Sequence, residues 1–429
     1  MTISLIGISL VFVLLLLGVP IGIGMAIIGT AGFGYIVGLE PTLSMLGQIT
    51  YETPVSYSLT IIPLFILMGN FISRAGLSQG LYDAAYSFLG HYRGGLALAT
   101  LAACGSFSAV SGSSLATAAT MSKVAMPQMR SYKYSDSLAT GVIAAGGTLG
   151  ILIPPSVLLV LYGIMTNNDI GKLFVAGIIP GVIALLMYGA AIAFVTARDP
   201  QAGPRGERST WAMRLSALKK TSGIAILFLV IIGGLYIGIF TPTEAAAVGA
   251  GGGFFFALVK GTLTFTTLFD VLVETVKMTA MIFIILIGAS LFSNFINVAG
   301  LPRALVAWTD NMNLAPIAIL LGILLIYIIL GCMLESMSMM LLTVPIFYPL
   351  IVSLGFDPIW FGIIVIVVIE ISLITPPVGL NVFIMKATLP DVSIKTIFKG
   401  VFPFVIADLF RLALLVALPG LVLYLPSLM

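Results

Sequence analysis

Two proline pairs, Pro154-Pro155 and Pro376-Pro377, lie 222 residues apart, each inside an apolar stretch long enough to cross a bilayer. Proline has no N–H, and its ring clashes with the preceding turn, so a helix through either pair must kink or break. The first pair sits in "GGTLGILIPPSVLLVLYG", Gly146 to Gly163, and the second in "ISLITPPVGLNVF". Breaking a helix in hydrocarbon frees backbone polar groups, and these survive there only when buried in protein or lining a wet cavity. The chain must therefore fold around its own broken helices.

Composition fixes the class. Hydrophobic residues are 60% of the 429 and charged ones 8%, against roughly 25% charged in a soluble domain. Runs such as "MTAMIFIILIGASLFSNF", Met278 to Phe295, recur along the chain, and each matches a hydrocarbon core of roughly 30 Å. This is an all-α polytopic membrane protein. The opening "MTISLIGISLVFVLLLLGVPIG" lacks the basic region and cleavage site of a signal peptide and reads as a retained helix. A net charge of +3 is too small to suggest nucleic acid. Cys104 and Cys332 stand apart, with no metal or redox spacing, and read as small buried thiols.

The 222-residue offset recurs elsewhere. Pro20 matches Pro242, Pro127 matches Pro349, and Ala75-Gly76-Leu77 returns 224 residues on as Ala299-Gly300-Leu301. Two repeats follow, 1–197 and 222–429, joined by a polar, basic linker over 198–221. Spans are expected near 57–73, 137–165 and 172–197, with counterparts near 278–297, 359–385 and 400–427. The opening segments, 3–38 and 223–259, read either as one long tilted helix or as two short ones folded at Pro20 and Pro242. Basic residues collect in the cytoplasm, which scores the two options. Five crossings per half place 16 of the 19 Lys and Arg inside, leaving Lys172 and Arg303 outside and Arg411 within the last helix. Four crossings leave six outside, so five is preferred and both termini are periplasmic. An odd number of crossings inverts the second repeat, a recurring transporter design with its site at the midplane.

Two further apolar segments, about 94–127 and about 315–350, do not fit as simple spans. The first has a Gly- and Ser-rich centre, "CGSFSAVSGSS"; the second centres on Gly331, Glu335, Ser336 and Ser338. With five crossings both leave the membrane on the side they entered, so they are re-entrant hairpins facing the breaks over 137–165 and 359–387. Freed carbonyls with Ser and Thr hydroxyls make a hard oxygen cage for a small alkali cation, while half-helix N-termini favour an anion. Small residues also pack helices closely in membranes, which is the plain alternative for the Ser-rich tip. Glu335 and Glu370 are intramembrane carboxylates, functional or paired by default. Asp408 and Arg411, three apart, read as a pair. Segments 78–90 and 302–312 read as interfacial amphipathic helices, the first with Leu81, Ala85, Phe88 and Leu89 on its apolar face, the second with Leu305 and Trp308.

Two inverted repeats, each with a polar hairpin followed by "GILIPPS" or "LITPPVGLN", resemble the large membrane subunit of tripartite ATP-independent periplasmic (TRAP) transporters, DctM-like members of the ion transporter superfamily. The resemblance implies an elevator mechanism and Na⁺-driven import of an organic acid at a bacterial or archaeal inner membrane. It also implies delivery by a periplasmic binding protein and a small four-helix membrane subunit, expected here as a separate chain. At least two Na⁺ are implied. One lies near Ser108, Gly150, Ile153 and Pro154, the other near Gly331, Ser372, Thr375 and Val378, with substrate by Ser111, Ser113, Ser156, Ser336 and Asn381. Ser372 stands where the first half carries Gly150, which leaves the second ion's oxygens open. The rival within the superfamily is a Na⁺/dicarboxylate symporter working alone. An intramembrane hydrolase is disfavoured: the tip reads "AVSGSS", His91 is the only histidine, and there is no HExxH.

Overall fold

A computed structural model describes residues 2–312, 314–332 and 334–429, and the described residues form helices and no strand. The chain opens with α1 (Thr2–Leu16), α2 (Ile21–Val37), α3 (Leu39–Val55), α4 (Ile61–Arg74) and α5 (Leu77–Leu89). A hairpin of α6 (Gly95–Ser111) and α7 (Ser114–Ser131) leads to α8 (Asp136–Thr148), α9 (Val157–Thr166) and the long α10 (Ile170–Arg198). The same order then returns. First come α11 (Trp211–Ile237), α12 (Pro242–Val259), α13 (Phe265–Val298) and α14 (Leu301–Met312). A second hairpin, α15 (Pro316–Gly331) and α16 (Ser336–Ser353), precedes α17 (Pro358–Ile374), α18 (Leu380–Thr388), α19 (Ile394–Ala417) and α20 (Gly420–Leu423). Seven described helices are long and apolar enough to cross a bilayer; α1, α2, α9, α15 and α17 are shorter apolar ones, as is α6 over Gly95–Ala109.

Each ambiguous opening segment is a pair of helices. Gly18, at φ 83°, and Pro20 separate α1 from α2. Pro242 starts α12 behind a capping box, in which the Glu244 N–H donates to Thr241 Oγ1 and the Glu244 carboxylate accepts from the Thr241 N–H at 2.8 Å. Three segments differ from expectation. α3 was unassigned, although Glu40 in its first turn and Pro41 just behind mark a helix start. The basic linker is irregular only over 199–210; from Trp211 it is already α11, capped by Thr210. The last span stops at Ala417 rather than continuing to 427, because Pro419 cannot extend it, and only short turns follow. α13, at 34 residues, is about 51 Å long and overruns the hydrocarbon.

Neither helix runs through its proline pair. α8 ends at Thr148, a single 3₁₀ turn follows at 149–151, and α9 begins only at Val157; α17 ends at Ile374 and α18 begins at Leu380. Both Pro-Pro bonds are cis. One hydrophobic core runs through α2, α4, α9, α11–α13 and α15–α17, and a second packs α6–α8 with α10, α18 and α19. Outside the apolar layer, Arg130 at the foot of α7 bridges Asp136 of α8 at 2.9 Å and Asp391, between α18 and α19, at 2.5 Å. This guanidinium holds the Asp391 carboxyl below its usual range.

Glycines set the closest crossings. A Cβ on Gly288 of α13 would collide with the Gly22 carbonyl of α2, and one on Gly29 would lie 2.6 Å from the Leu291 carbonyl carbon. Backbone cannot swing aside as a side chain can. Gly288→Ala should therefore cost about 1–3 kcal/mol by overpacking, seen as a lower melting midpoint in detergent. Gly251→Ala, into open space, should leave that midpoint unchanged.

Candidate substrate and cation site

At the tip of the first hairpin Gly112 takes φ 59°, and Ser113 then caps α7 by accepting from the Ala116 N–H. This tip sits on the first break. A Cβ on Gly150 would lie 2.9 Å from the Ser113 carbonyl oxygen, and one on Gly112 would lie 3.4 Å from that of Pro155. Only glycine permits both approaches. The ends of α6 and α8 bring carbonyls to this junction, and the starts of α7 and α9 bring N–H groups.

The predicted residues divide here. Ser111 Oγ is 2.8 Å from Thr117 Oγ1, and Thr117 donates in turn to the Ser113 carbonyl. Ser108 is fully buried, and its hydroxyl has no partner among the described residues. An orphaned hydroxyl beside a hairpin tip is an oxygen free to meet a cation. Ser156, also fully buried, caps α9 and donates to the Ile151 carbonyl at 2.6 Å. Ile153 and Pro154 turn their side chains toward α6 and α10, on the wall of a cavity described below.

The second junction is built alike with different residues. A Cβ on Gly331 would collide with the Ser372 side chain. Cys332 Sγ is 3.5 Å from the Pro376 carbonyl oxygen. Ser372 and Thr375 donate to the carbonyls of Ile369 and Ile371 at 2.7 and 2.5 Å. Val378 is half-buried, and Pro376 and Pro377 are exposed, whereas Pro154 and Pro155 are buried. The second break thus faces an opening. Ser336, at the start of α16, is buried. Asn381, fully buried, donates to the Ala144 carbonyl of α8 at 2.9 Å, tying one broken helix to the other and leaving its own Oδ1 unpartnered.

This arrangement of two hairpins on two broken helices is matched by known proteins. Residues 8–421 match the family described as "Tripartite ATP-independent periplasmic transporter, DctM component". The chain belongs to this family. It is 37% identical over 380 residues to the C4-dicarboxylate TRAP transporter large permease protein DctM of Pseudomonas aeruginosa, covering 88% of each chain. It is 32% identical to the isethionate TRAP transporter permease protein DctMQ of Oleidesulfovibrio alaskensis, covering 96% of this chain and 64% of that one. In fold it resembles the YdaH transporter of Alcanivorax borkumensis, with a TM-score of 0.63 at 16% identity over 89% of each chain. It is a multi-pass membrane transporter and not an enzyme.

In this TRAP large permease the two lone carboxylates have occupations. Glu335 caps α16, one oxygen accepting from the N–H groups of Met337 and Ser338 at 3.1 and 3.3 Å. It neutralises that N-terminus from within, so α18, which starts at Gly379 without a side-chain cap, is the N-terminus left open at the second junction. Glu370 pairs with Arg411. The Arg411 Nη2 is 2.6 Å from Glu370 Oε2 and 2.8 Å from Asp408 Oδ1, all three side chains being fully buried. Tyr188 donates to Asp408 at 2.6 Å and lies 3.4 Å from the Thr148 hydroxyl. The Asp408–Arg411 pairing read from sequence is present, and the network also takes in α8, α10 and α17. Sequence reasoning missed Arg411 as the partner of Glu370. The signal was there: Arg411 is the one cation placed inside a span by the five-crossing topology.

Proposed function

We propose that this permease imports a small organic acid, a carboxylate, sugar acid or sulfonate, by Na⁺ symport. The observation that carries the reading is the meeting of each hairpin tip with a helix break, where glycines let backbone approach backbone. Carbonyl oxygens and hydroxyls gathered there suit Na⁺, and open N-terminal N–H groups suit an anion. The orphaned Ser108 hydroxyl with the backbone of Gly150, Ile153 and Pro154 forms the first cation site. Gly331, Ser372, Thr375 and Val378 form the second. Substrate lies between them, near Ser111, Ser113, Ser156, Ser336 and Asn381, with its charge toward the start of α18.

The chain is two inverted repeats of five crossings each, and hairpins with broken helices slide as an elevator against the remaining frame. The twofold return of the helix order supports this. A periplasmic binding protein delivers the substrate and a small membrane subunit completes the complex in the inner membrane, with both termini periplasmic. The similarity to relatives named for a C4-dicarboxylate and for isethionate supports the substrate class.

Uptake into proteoliposomes with the binding protein present tests the coupling. Accumulation should vanish without a Na⁺ gradient, and uptake that persists would sink the proposal. Uptake without the binding protein would instead favour a symporter working alone. Thr375→Ala should raise the Na⁺ concentration for half-maximal uptake about tenfold, the loss of roughly 1.4 kcal/mol. Ser87→Ala, which removes a hydroxyl bonded only to the Ala84 carbonyl of its own helix, should leave that concentration unchanged. Equal effects would refute the site assignment.

A further inference from the structure

A cavity of about 930 Å³ lies apart from both junctions, between α5, α6, α10 and α11. Its walls include Phe88, Ala102, Val182, Leu186, Ala225 and Phe228, and it reaches inward to Ile153 and Pro154 beside the first break. Ser106 and Thr221 are the only hydroxyls among its lining residues, and both donate to carbonyls of their own helices. No charged side chain lines it. An organic anion would find no donor here, so this is not part of the transport site. Val182, Leu186 and Ile226 are exposed along its rim or just beside it, as side chains meant for hydrocarbon are. In a bilayer, hydrocarbon fills such a groove.

One end of the groove is charged. Along α11 the residues 211, 214, 218, 221, 225 and 228 fall at helical spacings of three and four, forming one stripe. The last four line the groove, and the first two are Trp211 and Arg214. Arg214 Nε donates to the Ser87 carbonyl at 3.0 Å, and its guanidinium lies 5.5 Å from the Phe88 ring and 5.0 Å from that of Trp211. Lys219 and Lys220 flank the stripe, exposed. Against these cations stand Asp83, bonded to Gln79, and Glu207 beside Tyr86. The mouth therefore pairs a cation cluster with exposed Trp211 and Tyr92, aromatic residues of the kind that settle at headgroup level.

We infer that this groove is a binding site for an anionic phospholipid, one acyl chain lying between α5–α6 and α10–α11 and the headgroup held at Arg214, Lys219 and Lys220. The acyl chain gains little by leaving bulk lipid for the groove, since both are apolar. Selection falls to the headgroup. Each cation near it is worth about 1 kcal/mol, or about fivefold, so three favour a phosphatidylglycerol over a phosphatidylcholine by about two orders of magnitude. The site touches Pro154 from the side opposite the hairpin tip, so the lipid buttresses the break.

The full chain, purified in mild detergent, is titrated with dioleoyl phosphatidylglycerol or dioleoyl phosphatidylcholine and followed by native mass spectrometry. Phosphatidylglycerol should be retained about 100-fold more tightly. Arg214→Gln/Lys219→Gln/Lys220→Gln should erase that preference, with glutamine keeping a donor for the Ser87 carbonyl. Ala225→Trp, which fills the groove, should abolish retention of both lipids, while Ile226→Trp, one position away, should not. If Ala225→Trp does not fold, the triple variant decides alone, because Lys219 and Lys220 are exposed. Equal retention of the two lipids by the unaltered chain overturns the inference. So does an Ala225→Cys variant that crosslinks, in native membranes, to a second membrane polypeptide, since the groove would then seat a protein helix.

Discussion

Arg411→Ala is expected to cost the folded permease about 3–5 kcal/mol, lowering its melting midpoint by several degrees. A single nitrogen, Nη2, bridges Glu370 and Asp408, and all three side chains are shut away from solvent. Removing it leaves two carboxylates facing one another with only the Tyr188 hydroxyl still donating to either. Arg411→Lys should cost much less, because one nitrogen already makes both contacts and an ammonium retains the charge. The same reasoning separates the value of the charge from the cost of breaking the set. Replacing Glu370, Asp408 and Arg411 together by Leu or Met, with Tyr188→Phe, should restore most of the lost stability, since burying three charges is itself expensive. Melting in detergent reads each variant. An Arg411→Ala chain as stable as the unaltered one would mean that the network does not brace α17 against α19.

What could be read from the chain before its fold depended on how local the cause was. Pro154-Pro155 and Pro376-Pro377 break their helices because of their own covalent geometry, so the breaks were legible residue by residue. The Gly112–Ser113 tip was legible for a similar reason. The partner of Glu370 was legible only by elimination among charges, since Arg411 lies 41 residues away on another helix. Ser156 shows a different limit. A hydroxyl just before a helix start reads equally as a cap or as a ligand, and the choice rests on where the Ile151 carbonyl falls. Glu335 went unread because a carboxylate one residue longer than Asp is not a favoured cap. Asn381 pairs with a main-chain oxygen of Ala144, and main-chain atoms leave no side-chain signature. The basic linker was legible as charge but not as structure, because its second half continues into α11.

Gly331→Ala should impair transport at least tenfold, and Ser372→Gly added to it should restore most of the loss. Ser108 and Gly331 are 223 residues apart, and Gly150 and Ser372 are 222 apart. In the first half the hairpin carries the serine and the broken helix the glycine; in the second half the two are exchanged. The exchange looked like a departure from repeat symmetry at one position. The structure gives it a partner, because the Ser372 side chain occupies the space beside Gly331 where a Cβ would go. One small residue per junction lets hairpin and break touch, and it does not matter physically which of the two supplies it. A methyl at 331 overpacks this contact by about 1–3 kcal/mol and pushes the hairpin end from the carbonyls beside it. Removing the Ser372 side chain reopens the space, so the two substitutions should show a coupling of about 1–3 kcal/mol in a double-mutant cycle. Melting and Na⁺-dependent uptake, measured on both singles and the double, read it. Additive losses would mean that the two positions do not share one contact. Recovery of melting without uptake would mean that the Ser372 hydroxyl itself serves the ion, as the second cation site requires.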